Sequence, residues 1–354
     1  MGKFLEEKIK IYADEIEKAT IIDKEIYEKY AIKRGLRNQN GTGVLVGVTK
    51  VGDVCGYKIE NGKKIPAEGE LFYRGYPLTA MVHDIEVSHR LGFEEVIYLL
   101  LFDKLAKEKE LEYFKKVLAQ NRKLPAYFIE DAILKVPGAD IMNKMMRAML
   151  ALYTYDENPD CTETSNVLRQ SLSLISKVPL LVIYSYQVKI HKFDNKSLVI
   201  HNPDPEKSIA ENILAMLRVD QNYTREEAEI LDLLLIIHAE HGGGNNSAFA
   251  THVVSSSGTD SYSAMAAGLA SLKGPRHGGA NIKVAKMLDN IKENVKDRED
   301  KKEIKSYLEK ILDKKAFDNE GLIYGLGHAV YTLSDPRAVL LKEKARDLAK
   351  IKGR

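Results

Sequence analysis

The sequence predicts a mainly helical protein with one small antiparallel β meander, and two patterns carry this prediction. Between Val44 and Arg74 the residues alternate and turns are frequent, and the Asn61-Gly62 pair is the strongest hairpin signal in the chain. Beyond Arg74, apolar residues recur every three or four positions, which is the period of an α-helix that buries one face. The fold class expected is therefore all-α, with the meander near residues 44–74.

The predicted elements can be placed in order along the chain. The first forty residues have the pattern of one or two amphipathic helices, and the meander follows them. Periodicity and capping residues then predict ten helices. Their ranges are 94–102, 108–119, 141–153, 165–175, 208–217, 225–238, 261–272, 280–295, 302–312 and 336–351. With 354 residues, of which 44% are hydrophobic, the chain can bury a large core and form two domains.

Composition argues against several classes of protein. The 53 Lys and Arg residues nearly balance the 51 Asp and Glu residues, so no overall field favours nucleic acid or an anionic membrane surface. Cys55 and Cys161 have the spacing of neither a disulfide framework nor a zinc ribbon, which fits a reducing compartment. The charged N-terminus lacks a secretory signal core, and no run reaches the roughly 18 apolar residues of a membrane span. A cytoplasmic protein is expected.

The segment HAEHGGGNNSAFATH, residues 238–252, contains three histidines around a run of glycines. His238 and His241 are three residues apart, whereas a zinc protease needs HExxH, so a metal site is disfavoured. A hydrolase nucleophile is disfavoured as well, because no GxSxG elbow or activated cysteine lies nearby. Two interpretations remain. The histidines bond to carbonyls at a helix end, or they line a pocket for a small polar molecule, which the glycines let the main chain approach.

The segment GPRHGGAN, residues 274–281, places His277 in a loop just before a predicted helix. The positive end of the helix dipole disfavours imidazolium, which keeps the ring neutral. A neutral ring can donate a hydrogen bond to a carbonyl oxygen that is becoming an enolate. The alternative interpretation is a histidine that caps the helix or simply occupies the loop.

The segment GLGHAVYTLSDPR, residues 325–337, combines a histidine with an arginine. His328 follows two glycines, and Arg337 lies nine residues later, after a proline at a predicted helix start. An arginine can bind a carboxylate through two parallel hydrogen bonds, which a lysine does less well. The glycines by themselves are no nucleotide motif, because no strand precedes them and GxGxxG is incomplete.

Taken together, in this order and at these separations, the three segments resemble the signature segments of citrate synthases. The segments RNQNGTGVLVGVT, ELFYRGYPL and EEVIYLLLF resemble the bacterial branch of that family, so the resemblance covers nearly the whole chain. One departure is Leu326, where the family more often has an aromatic residue. The resemblance implies an acyltransferase of the tricarboxylic acid cycle. Such an enzyme condenses acetyl-CoA with oxaloacetate and water, through an enol(ate), to citrate and CoA.

The resemblance also implies residue roles. His277 would hold the thioester oxygen of acetyl-CoA while the methyl group loses a proton. His328 would bind and polarise the ketone of oxaloacetate, the electrophile in the new carbon–carbon bond. His241 and Arg337 would bind carboxylates of oxaloacetate, and Asn245 would line the same pocket.

The architecture implied by the resemblance has two helical domains, a large one over residues 1–279 and a small one over residues 280–354 that closes over the substrates. Gly325, Leu326 and Gly327 would pass close to CoA. No metal ion and no redox cofactor is expected. The partners expected are oxaloacetate, acetyl-CoA and a second copy of the chain in a homodimer.

One element of the family pattern has no match in the sequence. The family's general base is an aspartate that lies well beyond the arginine matched by Arg337, whereas the sequence ends at Arg354 and Asp347 does not fit the motif. General base catalysis is worth about 10² to 10⁴ in rate, so these 354 residues are expected to be nearly inactive without a further C-terminal segment. The alternatives are a 2-methylcitrate synthase and a non-catalytic homologue that binds CoA or a dicarboxylate.

Overall fold

The computed structural model describes residues 3–30, 32, 49–61, 63–275, 277–327 and 330–353, and this part of the chain confirms the mainly helical class. A π-helical turn covers Ile129–Leu134, and a 3₁₀ turn covers Tyr153–Tyr155. The α-helices among these residues are α1 (Lys3–Thr20), α2 (Lys24–Lys29), α3 (Leu78–Val87), α4 (Phe93–Phe102), α5 (Glu108–Asn121), α6 (Ile141–Leu152), α7 (Thr164–Phe193), α8 (Ile209–Leu217), α9 (Arg225–Ile237), α10 (Asn246–Ser255), α11 (Ser261–Lys273), α12 (Ala280–Asn294), α13 (Lys301–Leu312) and α14 (Pro336–Ile351).

The predicted meander is present as one antiparallel sheet. Its strands are β1 (Gly52–Glu60), β2 (Lys63–Tyr73) and β3 (Tyr76–Pro77), in that order. Glu60 pairs with Lys63, so the chain reverses between these two residues, where Asn61 lies. Gly62, the other residue of the predicted turn, lies outside the described residues. Asn61 has a φ of +50°, which a two-residue hairpin turn of this kind requires.

Contacts between residues divide the chain into two compact units. The first comprises Met1–Leu269 together with Val330–Arg354, and the second is Ala270–Ala329. The boundary expected from the sequence, between residues 279 and 280, assigned the last helix to the small domain. In the structure, α14 packs on α9, α3 and β2 of the first unit.

The first unit is built around α7, a helix of 30 residues. Among the described residues of this unit, two core clusters pack on α7, and a third joins the sheet to α3, α4 and α9. Within the described part of the chain, α7 alone is long and apolar enough to cross a membrane, but core helices pass the same test, and 56% of its apolar window is buried inside the protein. This burial is what a core helix shows.

Periodicity missed α3 and α10 and predicted only residues 165–175 of α7. Pro179 lies inside α7 and removes a backbone hydrogen bond, which costs about 3 kcal/mol in a helix interior. Beyond the proline, Leu180, Leu181 and Ile183 are all buried. Each such side chain contributes about 1.5–3 kcal/mol. Burial therefore outweighs the proline, and the helix continues to Phe193.

Candidate active site

The first histidine-containing segment begins where α9 ends. His238 is exposed, and its Nδ1 lies 2.7 Å from the Leu234 carbonyl oxygen. His238 therefore fits the interpretation of a histidine that bonds to a helix-end carbonyl. His252 is exposed on α10. Among the residues that the structure describes, no group of three or more His, Cys, Asp or Glu could hold a metal ion.

His241 lies three residues further along, in the loop between α9 and α10. Its ring is half-buried and meets the Tyr331 ring edge to face, with centroids 5.5 Å apart. The neighbouring Glu240 accepts a hydrogen bond from the Gly242 N–H, and burial raises the pKa of Glu240. Gly242 has a φ of +79°, which favours glycine and lets the main chain turn at this point.

Asn245 is the N-cap of α10. Its side-chain oxygen accepts from the Ser247 N–H at 2.9 Å and from the Ala248 N–H at 3.3 Å. This capping explains why a helix starts immediately after a run of glycines. Its proposed contact with a substrate stays a prediction.

Arg337 lies in the first turn of α14, where Asp335 is the N-cap and Pro336 the first helical residue. The Asp335 carboxylate accepts from Nε and Nη2 of Arg337, at 3.0 and 2.7 Å, and from its backbone N–H at 3.0 Å. Burial acts to lower the pKa of Arg337, but the hydrogen bonds and charge of Asp335 raise it by more. Asp335 therefore fixes both the start of the helix and a cationic guanidinium.

Tyr331 connects these two predicted residues. The guanidinium carbon of Arg337 lies 5.7 Å from the centroid of the same ring that His241 contacts. Tyr331 is 6% exposed, and burial raises its pKa to about 12, so its phenol remains neutral at pH 7. The structure thus brings together His241 and Arg337, which are far apart in sequence, around one buried aromatic ring.

Sequence reasoning did not single out Tyr331, Tyr73 or Asp335. The Tyr73 hydroxyl donates to the Ile236 carbonyl at 2.8 Å, and this anchors the last turn of α9 to the sheet. Burial raises the pKa of Tyr73, and the positive charge of Arg337 acts to lower it. The available signal was the position of these residues inside ELFYRG and YTLSDPR.

His277 belongs to the second unit, in the turn before α12. Its N–H donates to the Gly274 carbonyl at 2.9 Å, and its carbonyl accepts from the Ala280 N–H at 3.0 Å. A Cβ on Gly279 would lie 2.7 Å from the Lys273 carbonyl oxygen, so this turn folds tightly against the end of α11. The predicted placement before a helix is observed, and the catalytic role stays a prediction.

The second unit also contains the predicted CoA-binding residues. Gly325 and Gly327 have φ values of +88° and +90°, and Leu326 between them is 76% exposed. The turn is tied to α12, because Asp318 accepts hydrogen bonds from Lys283 at 2.7 Å and from Tyr324 at 2.6 Å. His328 lies outside the described residues.

Comparison with known proteins identifies relatives of this chain. The family model "Citrate synthase, C-terminal domain" matches residues 40–354. Citrate synthase 2 of Bacillus subtilis is 34% identical over 278 residues, which are 78% of this chain and 69% of the relative. The 2-methylcitrate synthase 1 of Corynebacterium glutamicum is 30% identical over 81% of this chain and 70% of its own length.

Solved structures give the same family. The crystal structure of citrate synthase from Pyrobaculum aerophilum has a TM-score of 0.69 and 28% identity, over 88% of this chain and 70% of that one. A citrate synthase from the thermophilic archaeon Thermoplasma acidophilum, in a ternary complex with carboxymethyl coenzyme A and oxaloacetate, has a TM-score of 0.64 and 25% identity, over 87% and 72%.

Proposed function

Because the chain belongs to the citrate synthase family, we propose that it condenses acetyl-CoA with oxaloacetate and water to give citrate and CoA. The observation that carries the proposal is the arrangement in the first unit, where His241 and Arg337 both contact the Tyr331 ring. An arginine and an imidazole at one buried ring can bind a small dicarboxylate. The Thermoplasma relative is described with oxaloacetate and a CoA analogue bound.

In this proposal, Arg337 binds a carboxylate of oxaloacetate. A guanidinium has five N–H donors, and Asp335 accepts from two of its nitrogens, so donors remain for a substrate carboxylate. His241 binds a carboxylate of the same molecule. Both groups are held before the substrate arrives, which lowers the entropy lost on binding.

The chemical step is a condensation. A general base accepts a proton from the methyl group of acetyl-CoA, and the resulting enol(ate) carbon bonds to the ketone carbon of oxaloacetate, whose oxygen takes up a proton and becomes a hydroxyl. Water then hydrolyses the thioester and releases CoA as a thiol. His277 donates a hydrogen bond to the thioester oxygen as negative charge develops there. His328 polarises the ketone, and Gly325 to Gly327 contact CoA. In this proposal the reaction needs neither a metal ion nor a redox cofactor. We also propose that the protein is cytoplasmic.

A thiol-release assay with oxaloacetate and acetyl-CoA tests this proposal. Replacing Arg337 with Gln is expected to lower kcat/KM for oxaloacetate by about 100-fold, because a charged, hydrogen-bonded partner is lost from a largely buried site. Arg346→Gln provides the control, since Arg346 is an exposed arginine of the same helix and should leave the rate within about twofold. Equal rates for both variants would contradict the role of Arg337.

The assay also addresses turnover by these 354 residues. If the protein binds oxaloacetate but releases no thiol, it is a binding protein and the enzyme proposal fails.

The second candidate activity is that of a 2-methylcitrate synthase, favoured by the Corynebacterium relative of that name. The two activities differ in whether the site accepts the extra methyl group of propionyl-CoA. One methylene is worth about 1–3 kcal/mol in a hydrophobic pocket, or roughly 10 to 200-fold in kcat/KM. The ratio of kcat/KM for acetyl-CoA and propionyl-CoA therefore distinguishes them.

A homodimer is also proposed, through the surface that includes α10. This helix has no buried residue in the single chain, although it carries Phe249, which is 44% exposed. Met265 on the following helix α11 is 43% exposed. In this proposal, a second subunit covers these exposed apolar side chains. Sedimentation at micromolar concentration measures the state directly.

A further inference from the structure

The hairpin of β1 and β2 contacts both first-unit segments that contain the proposed oxaloacetate-binding residues. One is the loop around His241, and the other is the segment Val330–Pro336, which leads into Arg337. The two segments are almost 90 residues apart in sequence. The hairpin therefore lies beneath both of them, although it contains none of the residues assigned to substrate.

One face of β1 makes these contacts, and two of the three residues involved are glycines. Gly52, Val54 and Gly56 are two residues apart, so they share a face of the strand. A Cβ on Gly52 would lie 2.5 Å from Cγ of Glu240, and one on Gly56 would lie 2.4 Å from the Val330 carbonyl oxygen. A larger residue would force the Glu240 side chain to move at position 52 and the backbone of Val330 to move at position 56. The glycines thus let the strand approach each segment closely.

A bulge in the sheet leaves backbone groups of β2 available for hydrogen bonds to the segment Val330–Pro336. Cys55 pairs with Glu70 and Tyr57 pairs with Pro66, so Gly56 faces three residues of β2 instead of one. Such an irregularity takes backbone groups out of the strand ladder. The groups concerned belong to residues 67–69.

Thr332 and Ser334 bond to these backbone groups. The Thr332 hydroxyl donates to the Gly56 carbonyl and accepts from the Ala67 N–H at 3.2 Å. The Ser334 hydroxyl accepts from the Gly69 N–H at 3.3 Å and donates to the carboxylate of Glu68. Two alternate residues of the segment are therefore fixed on the bulge, one on each side of Leu333.

We propose that the bulged hairpin is a positioning element for the carboxylate-binding arginine. By holding Thr332 and Ser334, it fixes the path of the chain from Tyr331 to Asp335, and Asp335 in turn orients the guanidinium of Arg337. The inference rests on the proposed function, because it assumes that Arg337 binds oxaloacetate. Small displacements of a positioned group can cost as much as about 100-fold in activity.

Calorimetric titration of the full chain with oxaloacetate tests the inference. Thr332→Val keeps the shape of the side chain and removes its hydrogen bonds to the bulge, and it is expected to raise the dissociation constant about tenfold. Gly69→Ala should have the same effect, because its Cβ would lie 2.3 Å from the Ser334 carbonyl oxygen. Thr332→Ser keeps the hydroxyl and should restore the affinity to within about twofold of the unmodified chain.

Thr154→Val is the matched control. Thr154 is also exposed, and its hydroxyl also donates to a backbone carbonyl, that of Ala151 at 2.8 Å. Its hydrogen-bond partner lies three residues away on the same segment and not on the hairpin. Thermal unfolding of all four variants measures stability beside affinity. If Thr332→Val lowers the melting temperature but leaves the dissociation constant unchanged, the hairpin is only structural and the inference is wrong. If the unmodified chain does not bind oxaloacetate, the proposed function itself fails.

Discussion

Residues 330–337 in the first unit and the turn at residues 325–327 in the second come from one stretch of sequence, yet they differ in how the protein holds them. Tyr331 is 6% exposed, and the residues after it are bonded to the hairpin. Leu326 is 76% exposed, between two glycines with positive φ. The first is a fixed framework, and the second is an accessible turn.

This difference matches the two ligands proposed. A small dianion has few atoms, so its affinity depends on charges that already point at it. CoA is long, and a glycine turn offers it a backbone that it can approach closely. The proposed division of labour is therefore a rigid carboxylate site in the first unit and an open main-chain site in the second.

The largest expected effect is a dependence of the free energy of unfolding on pH, and it originates in the buried contact between α9 and the start of α4 in the first unit. Asp232 of α9 is 2% exposed and accepts from the Gly92 and Phe93 N–H groups, at 2.7 and 3.2 Å, where α4 begins. Burial is the main cause that raises its pKa to about 7, and the charge of Glu94 adds to it, while both backbone bonds and Lys115 oppose it.

The sign follows from proton binding. Between about pH 4 and pH 7 the unfolded chain releases the proton of Asp232 and the folded chain keeps it, so the free energy of unfolding falls as pH rises through this window, by roughly 4 kcal/mol in total. Chemical denaturation at pH 4.5 and 7.5 measures the change, and Asp232→Asn should remove most of it. Asp347→Asn, on the exposed side of α14, is the control for loss of a charge. A slope that Asp232→Asn leaves intact would contradict the assignment.

Local chemistry explains what the sequence could predict of this framework. The chain reversal at Asn61 and the start of α14 at Pro336 are each determined by a few neighbouring residues, and both occur where they were expected. The pairing of Asp335 with Arg337 is also local, and a carboxylate two residues before an arginine at a helix start was a usable signal.

What escaped prediction depends on contacts between distant residues. Thr332 and Ser334 meet the bulge at residues 67–69 across a sequence separation of 265. Nothing in the local pattern of a threonine indicates such a partner. The same applies to Tyr331, which becomes a site residue only because the fold brings His241 against its ring. Before α10, the run of glycines has no helical period that could predict a helix, whereas Asn245 caps a helix that begins at Asn246.

A smaller effect on the free energy of unfolding is expected when a glycine from each of the two regions is replaced by alanine. A Cβ on Gly56 would lie 2.4 Å from the Val330 carbonyl oxygen, whereas one on Gly327 would meet nothing within 4 Å. Gly56→Ala is therefore expected to cost about 2–3 kcal/mol through overpacking. Gly327→Ala should cost about 1 kcal/mol, from the positive φ alone. Urea denaturation of the two variants measures the difference, and equal losses would remove the contrast between framework and turn.

The smallest expected effect on stability comes from replacing a helix-capping aspartate. It shows whether Asp335 acts only as a helix cap or also orients Arg337. Asp335 caps α14 and Asp300 caps α13 in the second unit, where its carboxylate accepts from the Lys302 N–H at 2.8 Å. Alanine at either position is expected to cost about 1 kcal/mol of stability, because a capping bond is lost. Only Asp335→Ala should also weaken binding of oxaloacetate, by about tenfold as read by calorimetry, the same loss expected for Thr332→Val.

Asp335→Asn decides which property of the aspartate matters for binding. Asparagine caps as well as aspartate, so stability should return, while one of the acceptors that align Arg337 is lost together with the negative charge. If orientation dominates, the dissociation constant for oxaloacetate rises for both Ala and Asn. If instead it falls, the charge of Asp335 opposes the substrate dianion more than its hydrogen bonds help to align the guanidinium. In that case the fixed geometry of the first unit serves stability at the expense of affinity.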